Sequence, residues 1–127
     1  MLLANAPVCP VLPAEDIERA KKFYTEKLGL TIEKEMPESR DVVFACGGGT
    51  KLYMYQRAKT KAEHTVASFM VDNLKQTMEE LRAKGVKFEE YDFPGLKTVN
   101  GVAEYDGGKG AWFTDTEGNI VAINEMK

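Results

Sequence analysis

Cys9-Pro-Val-Leu-Pro-Ala-Glu-Asp16, continued by Ile17-Glu-Arg-Ala-Lys-Lys-Phe-Tyr-Thr-Glu-Lys-Leu-Gly29, has a counterpart in the second half of the chain. There Val66-Ala-Ser-Phe-Met-Val-Asp-Asn73 runs into Leu74-Lys-Gln-Thr-Met-Glu-Glu-Leu-Arg-Ala-Lys-Gly85. In both, a short apolar segment of strand character meets an Asp or Asn, a helix-period segment follows, and a glycine closes it. Asp16 and Asn73 suit the N-cap, where a short side-chain oxygen accepts from the first unpaired helical N–H groups. Ile17, Ala20, Tyr24 and Leu28 form one helical stripe, and Leu74, Met78 and Leu81 another. Lys27 and Lys84 lie where the helix dipole favours a cation, and Gly29 and Gly85 supply the left-handed residue that ends a helix.

The repeat extends further. Gly49-Thr-Lys-Leu-Tyr-Met-Tyr-Gln56 matches Gly118-Asn-Ile-Val-Ala-Ile-Asn-Glu125, each a glycine turn entering an alternating strand. Val42–Cys46 and Ala111–Thr114 are strands leading into those turns, so each half ends in a hairpin. Leu30–Glu35 and Val86–Glu90 supply one further strand apiece. The plan is β-α-β-β-β, twice, with one module over 1–60 and the other over 61–127. The second is longer: Gly29 and Gly49 are 20 residues apart, Gly85 and Gly118 are 33. The surplus falls in or around 94–110, a glycine-rich stretch holding Leu96, Val99, Val102 and Tyr105, and long loops with apolar content tend to carry function.

The 127 residues carry 17 basic and 20 acidic side chains, a net charge of −3, and are 43% hydrophobic and 29% charged. That is the composition of a folded globular domain, and it lacks the basic stripe of a nucleic-acid binder. No segment approaches the ~20 apolar residues of a membrane span, and the apolar opening Met1–Pro7 lacks the basic region of a signal peptide. A cytoplasmic location is expected, with Cys9 and Cys46, which have no metal-type spacing, as free thiols.

Asp16-Ile-Glu-Arg-Ala-Lys-Lys-Phe-Tyr24, ending in Leu28-Gly-Leu30, resembles the first helix of the vicinal oxygen chelate superfamily, which includes glyoxalase I, bleomycin-resistance proteins and extradiol dioxygenases. Trp112-Phe-Thr-Asp-Thr-Glu-Gly-Asn119 resembles the signature of its second module. The resemblance covers nearly the whole chain. It implies an α+β fold in which two βαβββ modules form an open, curled mixed sheet around a cavity, with helices outside. It also implies a homodimer paired through its modules.

Metal-dependent members of that family place four ligands, usually His and Glu, on cavity-facing strand positions. Carried over, those positions are Cys9, Tyr53, Val66 and Ala122. Two of these have no side-chain donor. The neighbours Pro10, Leu52, Ala67, Val121 and Ile123 are no better, and a shift of two reaches only His64 and Asn124. His64, the only histidine, is expected to face solvent at the entry to its strand. No bound metal and no cofactor are therefore expected.

With these positions as the register, alternation sends Cys9, Val11, Lys51, Tyr53, Tyr55, Val66, Ser68, Met70, Ile120, Ala122 and Asn124 to the cavity. Leu12, Ala14, Leu52, Met54, Phe69, Val71, Val121 and Ile123 go to the helices. Phe23 and Tyr24 belong to the core. Cys9, Tyr53, Tyr55, Val66, Ser68, Met70, Trp112, Ala122 and Asn124 are the candidate ligand-binding residues. Tyr53 and Tyr55 suit an aromatic or cationic guest, and Trp112 and Phe93 are placed to close over it. No catalytic triad, phosphate loop or paired-carboxylate motif can be placed.

The leading expectation is a metal-independent protein that sequesters an aromatic or amphipathic small molecule, in the manner of bleomycin-resistance proteins. Two alternatives stay open: a divalent-metal lyase, isomerase or dioxygenase, and a metal-free enzyme using Tyr53, Tyr55, His64 or Cys9 as acid or base.

Overall fold

A computed structural model describes residues 3–126, so Met1 and Leu2 of the apolar opening lie outside the described residues. The first module contains β1 (Val11–Ala14), α1 (Ile17–Lys22), β2 (Thr31–Met36), β3 (Asp41–Ala45) and β4 (Lys51–Gln56). The second contains β5 (Thr65–Met70), α2 (Leu74–Ala83), a small hairpin of β6 (Asp92–Phe93) and β7 (Leu96–Lys97), then β8 (Ala103–Tyr105), β9 (Gly108–Thr114) and β10 (Ile120–Met126). The two sheets have the same order, β1-β4-β3-β2 and β5-β10-β9-β8. In each, the first strand pairs parallel with the last, and the other pairings are antiparallel. A parallel pair needs a crossover, and the helix supplies its first leg. The expected α+β architecture of two βαβββ units is what the chain adopts, as two open four-stranded sheets.

The local signals hold. The Asp16 side chain accepts from the Arg19 N–H, and Asn73 accepts from that of Gln76. Gly29 and Gly85 take φ of 77° and 92°. The first helix departs in one respect: after Lys22 it widens into a π-helical turn over Phe23–Lys27, with the Leu28 N–H on the Phe23 carbonyl. The wider turn lets two successive aromatic rings face inward. Tyr24 stacks on Phe44 at 5.5 Å, and Phe23 lies 6.1 Å from Phe113 of the other module.

The strand expected at Val86–Glu90 does not form. Only Phe88 bridges to Phe113, and the Glu89 N–H reaches the Trp112 carbonyl. The fourth strand of the second sheet is β8 instead, paired with the other end of β9. The cause is Glu90. Its carboxylate accepts from the Gly101 N–H at 2.9 Å and the Thr98 hydroxyl at 2.5 Å, closing the neck of an excursion that carries the β6–β7 hairpin. The extra residues of this module thus divide one strand into two pieces.

Leu12, Met54 and Phe44 of the first sheet, both helices, and Ala111, Phe113, Val121 and Ile123 of the second form one hydrophobic cluster. The modules share a core, sealed at one end by the turn 115–119. Both Oδ1 bonds of Asp115, to the N–H groups of Glu117 and Asn119, shape that turn. The Glu117 carboxylate, whose side chain is wholly buried, accepts from the backbone N–H of Glu15 and of Asp16 at 3.0 Å. It also takes both arms of the Arg19 guanidinium, at 2.8 and 3.1 Å. Asn119 donates to the Pro13 carbonyl, and the Tyr24 hydroxyl to Asp115. The acidic turn of one module therefore holds the first helix of the other.

Burial pushes the Glu117 carboxyl up, but the Arg19 guanidinium, the Asp16 N–H and the Thr116 hydroxyl outweigh it and hold the group at about 2, below its ordinary 4.5. A carboxyl depressed by folding stabilises the fold above its unfolded value and loses that contribution as pH falls through the folded one. Urea unfolding is expected to show stability falling between about pH 4.5 and 2 in the wild type, with a smaller fall in Glu117→Gln. At pH 7, Glu117→Ala is expected to destabilise the fold, because the Glu15 and Asp16 N–H groups lose their acceptor, at about 1–3 kcal/mol for a buried donor left unpaired.

Candidate functional site

Because the helix-facing sides of both sheets enter one core, their opposite faces point away from it. Those outer faces hold most of the candidate residues. On the first sheet, Val11 lies beside Tyr53 and Pro13 beside Tyr55 in the parallel pair. Val11 is 59% exposed, Tyr53 is exposed, and Tyr55 and Cys9 are half-buried. Lys51, in the same alternation, is ion-paired with Glu33.

On the second sheet, Ser68 lies beside Ala122 and Met70 beside Asn124. Trp112 is opposite Ala122 on the other flank. Met70 is 59% exposed, while Ala122 is buried among its neighbours. Val66 departs from the expected alternation. The register slips between Ile120 and Val121, and Val66 packs partly against the core together with Ala67. An unpaired residue at such an irregularity breaks the two-residue repeat, so the residue before Ala67 need not face away from it.

The structure joins some candidates and separates others. A groove of about 360 Å³ brings Ser68 and Met70 of the second module against Lys51 and the Val8 and Pro10 neighbours of Cys9. Tyr53 and Tyr55 belong to one sheet and Trp112, Ala122 and Asn124 to the other. The Trp112 ring is fixed by a bond from Nε1 to the Thr65 hydroxyl at 3.1 Å. Tyr91 stands edge-on to it at 5.7 Å and contacts Phe93 at 5.6 Å. Phe93 and Trp112 are thus linked through Tyr91, a residue that sequence reading did not single out. Tyr105, which the sequence presents only as apolar loop content, donates its hydroxyl to Asn124 Oδ1 at 2.5 Å. His64 is exposed just before β5, as expected.

Among the described residues, no three His, Cys, Asp or Glu side chains converge in a way that would hold a metal ion. The set at the four family positions, Cys9, Tyr53, Val66 and Ala122, does not fit a divalent cation, because two members have no donor.

Residues 8–47 match the family model for the bleomycin resistance protein-like N-terminal domain. Two solved structures superpose over nearly their whole length. UcmS2 does so with a TM-score of 0.72 at 23% identity, covering 93% of this chain and 96% of that one. TnmS3, an antibiotic binding protein from Streptomyces sp. CB03234, does so with a TM-score of 0.74 at 20% identity, covering 100% of both. The chain has the fold of these two proteins, and part of its first module matches the bleomycin resistance protein-like N-terminal model. YetH of Bacillus subtilis (strain 168) is a sequence relative, 27% identical over 118 residues, which are 87% of this chain and 90% of YetH. No helix among its described residues is long and apolar enough to cross a membrane.

Cys9 and Cys46 are both free and half-buried. Burial pushes the Cys46 thiol up, and the thiolate is the reactive form. At pH 7.5, Cys46 is expected to be alkylated by iodoacetamide more slowly than free cysteine, and faster as pH rises. Mass spectrometry of the labelled peptide measures this, and labelling faster than free cysteine would mark an activated thiol.

Proposed function

We propose that this protein binds a small aromatic or amphipathic molecule without a metal of its own, and acts by holding it rather than transforming it. The observation that carries this reading is the exchange of donors for apolar and aromatic groups on an intact scaffold. Two of the four positions where a metal-dependent member carries ligands lack donors, and around them stand Val11, Tyr53, Tyr55, Met70 and Trp112. Apolar walls with sparse hydrogen-bonding points suit a small-molecule site. The description of TnmS3 as an antibiotic binding protein is consistent with that class of role.

The two faces project outward from the shared core, so one chain alone leaves both open. We propose a homodimer that sets the first-module face of one copy against the second-module face of the other, with the ligand between them. Exposed Val11, Tyr53 and Met70 are then covered, which removes apolar surface from water at about 25 cal/mol per Å². Two free cysteines fit a reducing, cytoplasmic setting.

A thermal-shift screen of aromatic and cationic compounds tests the binding reading. A true ligand at 100 times its Kd adds about 2.7 kcal/mol of stability. Because Trp112 is the only tryptophan, the same ligand is expected to change its fluorescence. Light scattering is expected to give the mass of two chains. Stoichiometric Ni, Zn, Fe or Mn surviving dialysis would overturn the metal-free part of the reading.

A further inference from the structure

The second-module face carries a hydrogen-bonded chain whose direction follows from the orientation of the Asn124 amide. An Asn side chain has one acceptor, its carbonyl oxygen, and donors only on its nitrogen. The Tyr105 hydroxyl therefore donates to Asn124 Oδ1, at 2.5 Å. Asn124 Nδ2 donates to the Ser68 hydroxyl oxygen, at 2.6 Å. Both ends are then unspent in opposite senses. Among the described residues, the Ser68 O–H is left as a donor with only the Met70 sulfur, 4.0 Å away, as a weak partner. The Tyr105 oxygen is left with a free lone pair, beside the Met126 sulfur at 3.9 Å.

The chain is built into the sheet rather than draped over it. Asn124 lies against Gly110, where a Cβ would come within 2.4 Å of Asn124 Oδ1. Only glycine at this point of β9 leaves room for the amide in that position. Around it, Met70 and Met126 are more than half exposed and Tyr105 is 40% exposed. Thioether sulfurs contact aromatic rings favourably and adapt to their shape.

We propose that Tyr105, Asn124 and Ser68 form an oriented relay that selects planar aromatic ligands carrying an adjacent acceptor and donor, such as a primary amide or a lactam. The ligand carbonyl accepts from Ser68, the ligand N–H donates to the Tyr105 oxygen, and the ring lies against the methionines. This rests on reading the second-module face as a ligand face, and it adds the polar pattern that the ligand must match.

Calorimetric titration with 2-naphthamide and with N,N-dimethyl-2-naphthamide, which keeps the ring and carbonyl but has no N–H, tests the relay. The primary amide is expected to bind more tightly than the dimethyl compound. Tyr105→Phe and Ser68→Ala, both at exposed positions, are each expected to weaken it about 3- to 10-fold, the range of a single neutral hydrogen bond. Tyr105→Phe is expected to weaken the primary amide by a larger factor than the dimethyl compound. Gly110→Ala is expected to weaken the primary amide as well, and circular dichroism of each variant checks that it is folded. Equal binding of the two compounds, unaltered by either exposed substitution, would overturn the relay and leave the small-molecule reading standing. Binding of other aromatic compounds but of neither naphthamide would do the same. Failure of every aromatic compound tried to bind would overturn the binding reading and the relay with it.

Discussion

A buried carboxylate at the seam between two modules sets the arrangement of everything else. Glu117 belongs to the last turn of the second module, yet four of the five hydrogen bonds its carboxylate accepts come from the start of the first helix. They satisfy two backbone N–H groups at a helix entry, where unpaired donors are otherwise left over. They also neutralise the buried charge with a two-armed guanidinium, the geometry in which such pairs are strong. With Asn119 on the Pro13 carbonyl and Tyr24 on Asp115, the clasp fixes the first helix between the two sheets. Neither module has to complete a core by itself.

That placement has a consequence for the working surfaces. Helix-facing residues of both sheets merge into one cluster, so the other faces turn outward and carry exposed Val11, Tyr53, Met70 and Tyr105. The edge strands are β1 and β2 in the first sheet and β5 and β8 in the second; β1 and β5 are the parallel partners of the strands that bear Tyr53 and Asn124. Unpaired edges beside exposed apolar faces are sites where a second chain adds readily. The long excursion after Glu90 changes only the second face: it brings Tyr91 to Trp112 and, on its return, Tyr105 to Asn124. The added chain length thus furnishes side chains for that surface, and on its return Val102 packs against the shared core.

The parts of this architecture that could be read in advance were those governed by near neighbours. Asp16 and Asn73 act three residues along the chain, and the left-handed glycines 29 and 85 act at their own backbone. The core-facing set Leu12, Leu52, Met54, Val121 and Ile123 followed from a two-residue alternation that regular strands preserve. Val66 failed that test because one irregular register breaks the alternation. Val86–Glu90 failed because Glu90 bonds to Thr98 and Gly101 beyond the segment, and those bonds take the backbone out of the ladder. Nothing within the five residues themselves announces either event.

The sequence by itself determined the two-module plan, the helix limits, the inward-facing residues and the lack of donors at two expected ligand positions. All of these rest on residue type and short-range periodicity. Only the tertiary structure decided that the acidic turn would clasp the first helix, that Ser68 and Met70 would meet Lys51 across one groove while Tyr53 and Trp112 stand on different sheets, and that Tyr105 would join Asn124 and Ser68. The physical reason is separation along the chain. Arg19 and Glu117 are 98 residues apart and Ser68 and Asn124 are 56. Such pairs form only because strand order and helix packing bring them together, and local sequence carries no mark of which distant partner a side chain will meet.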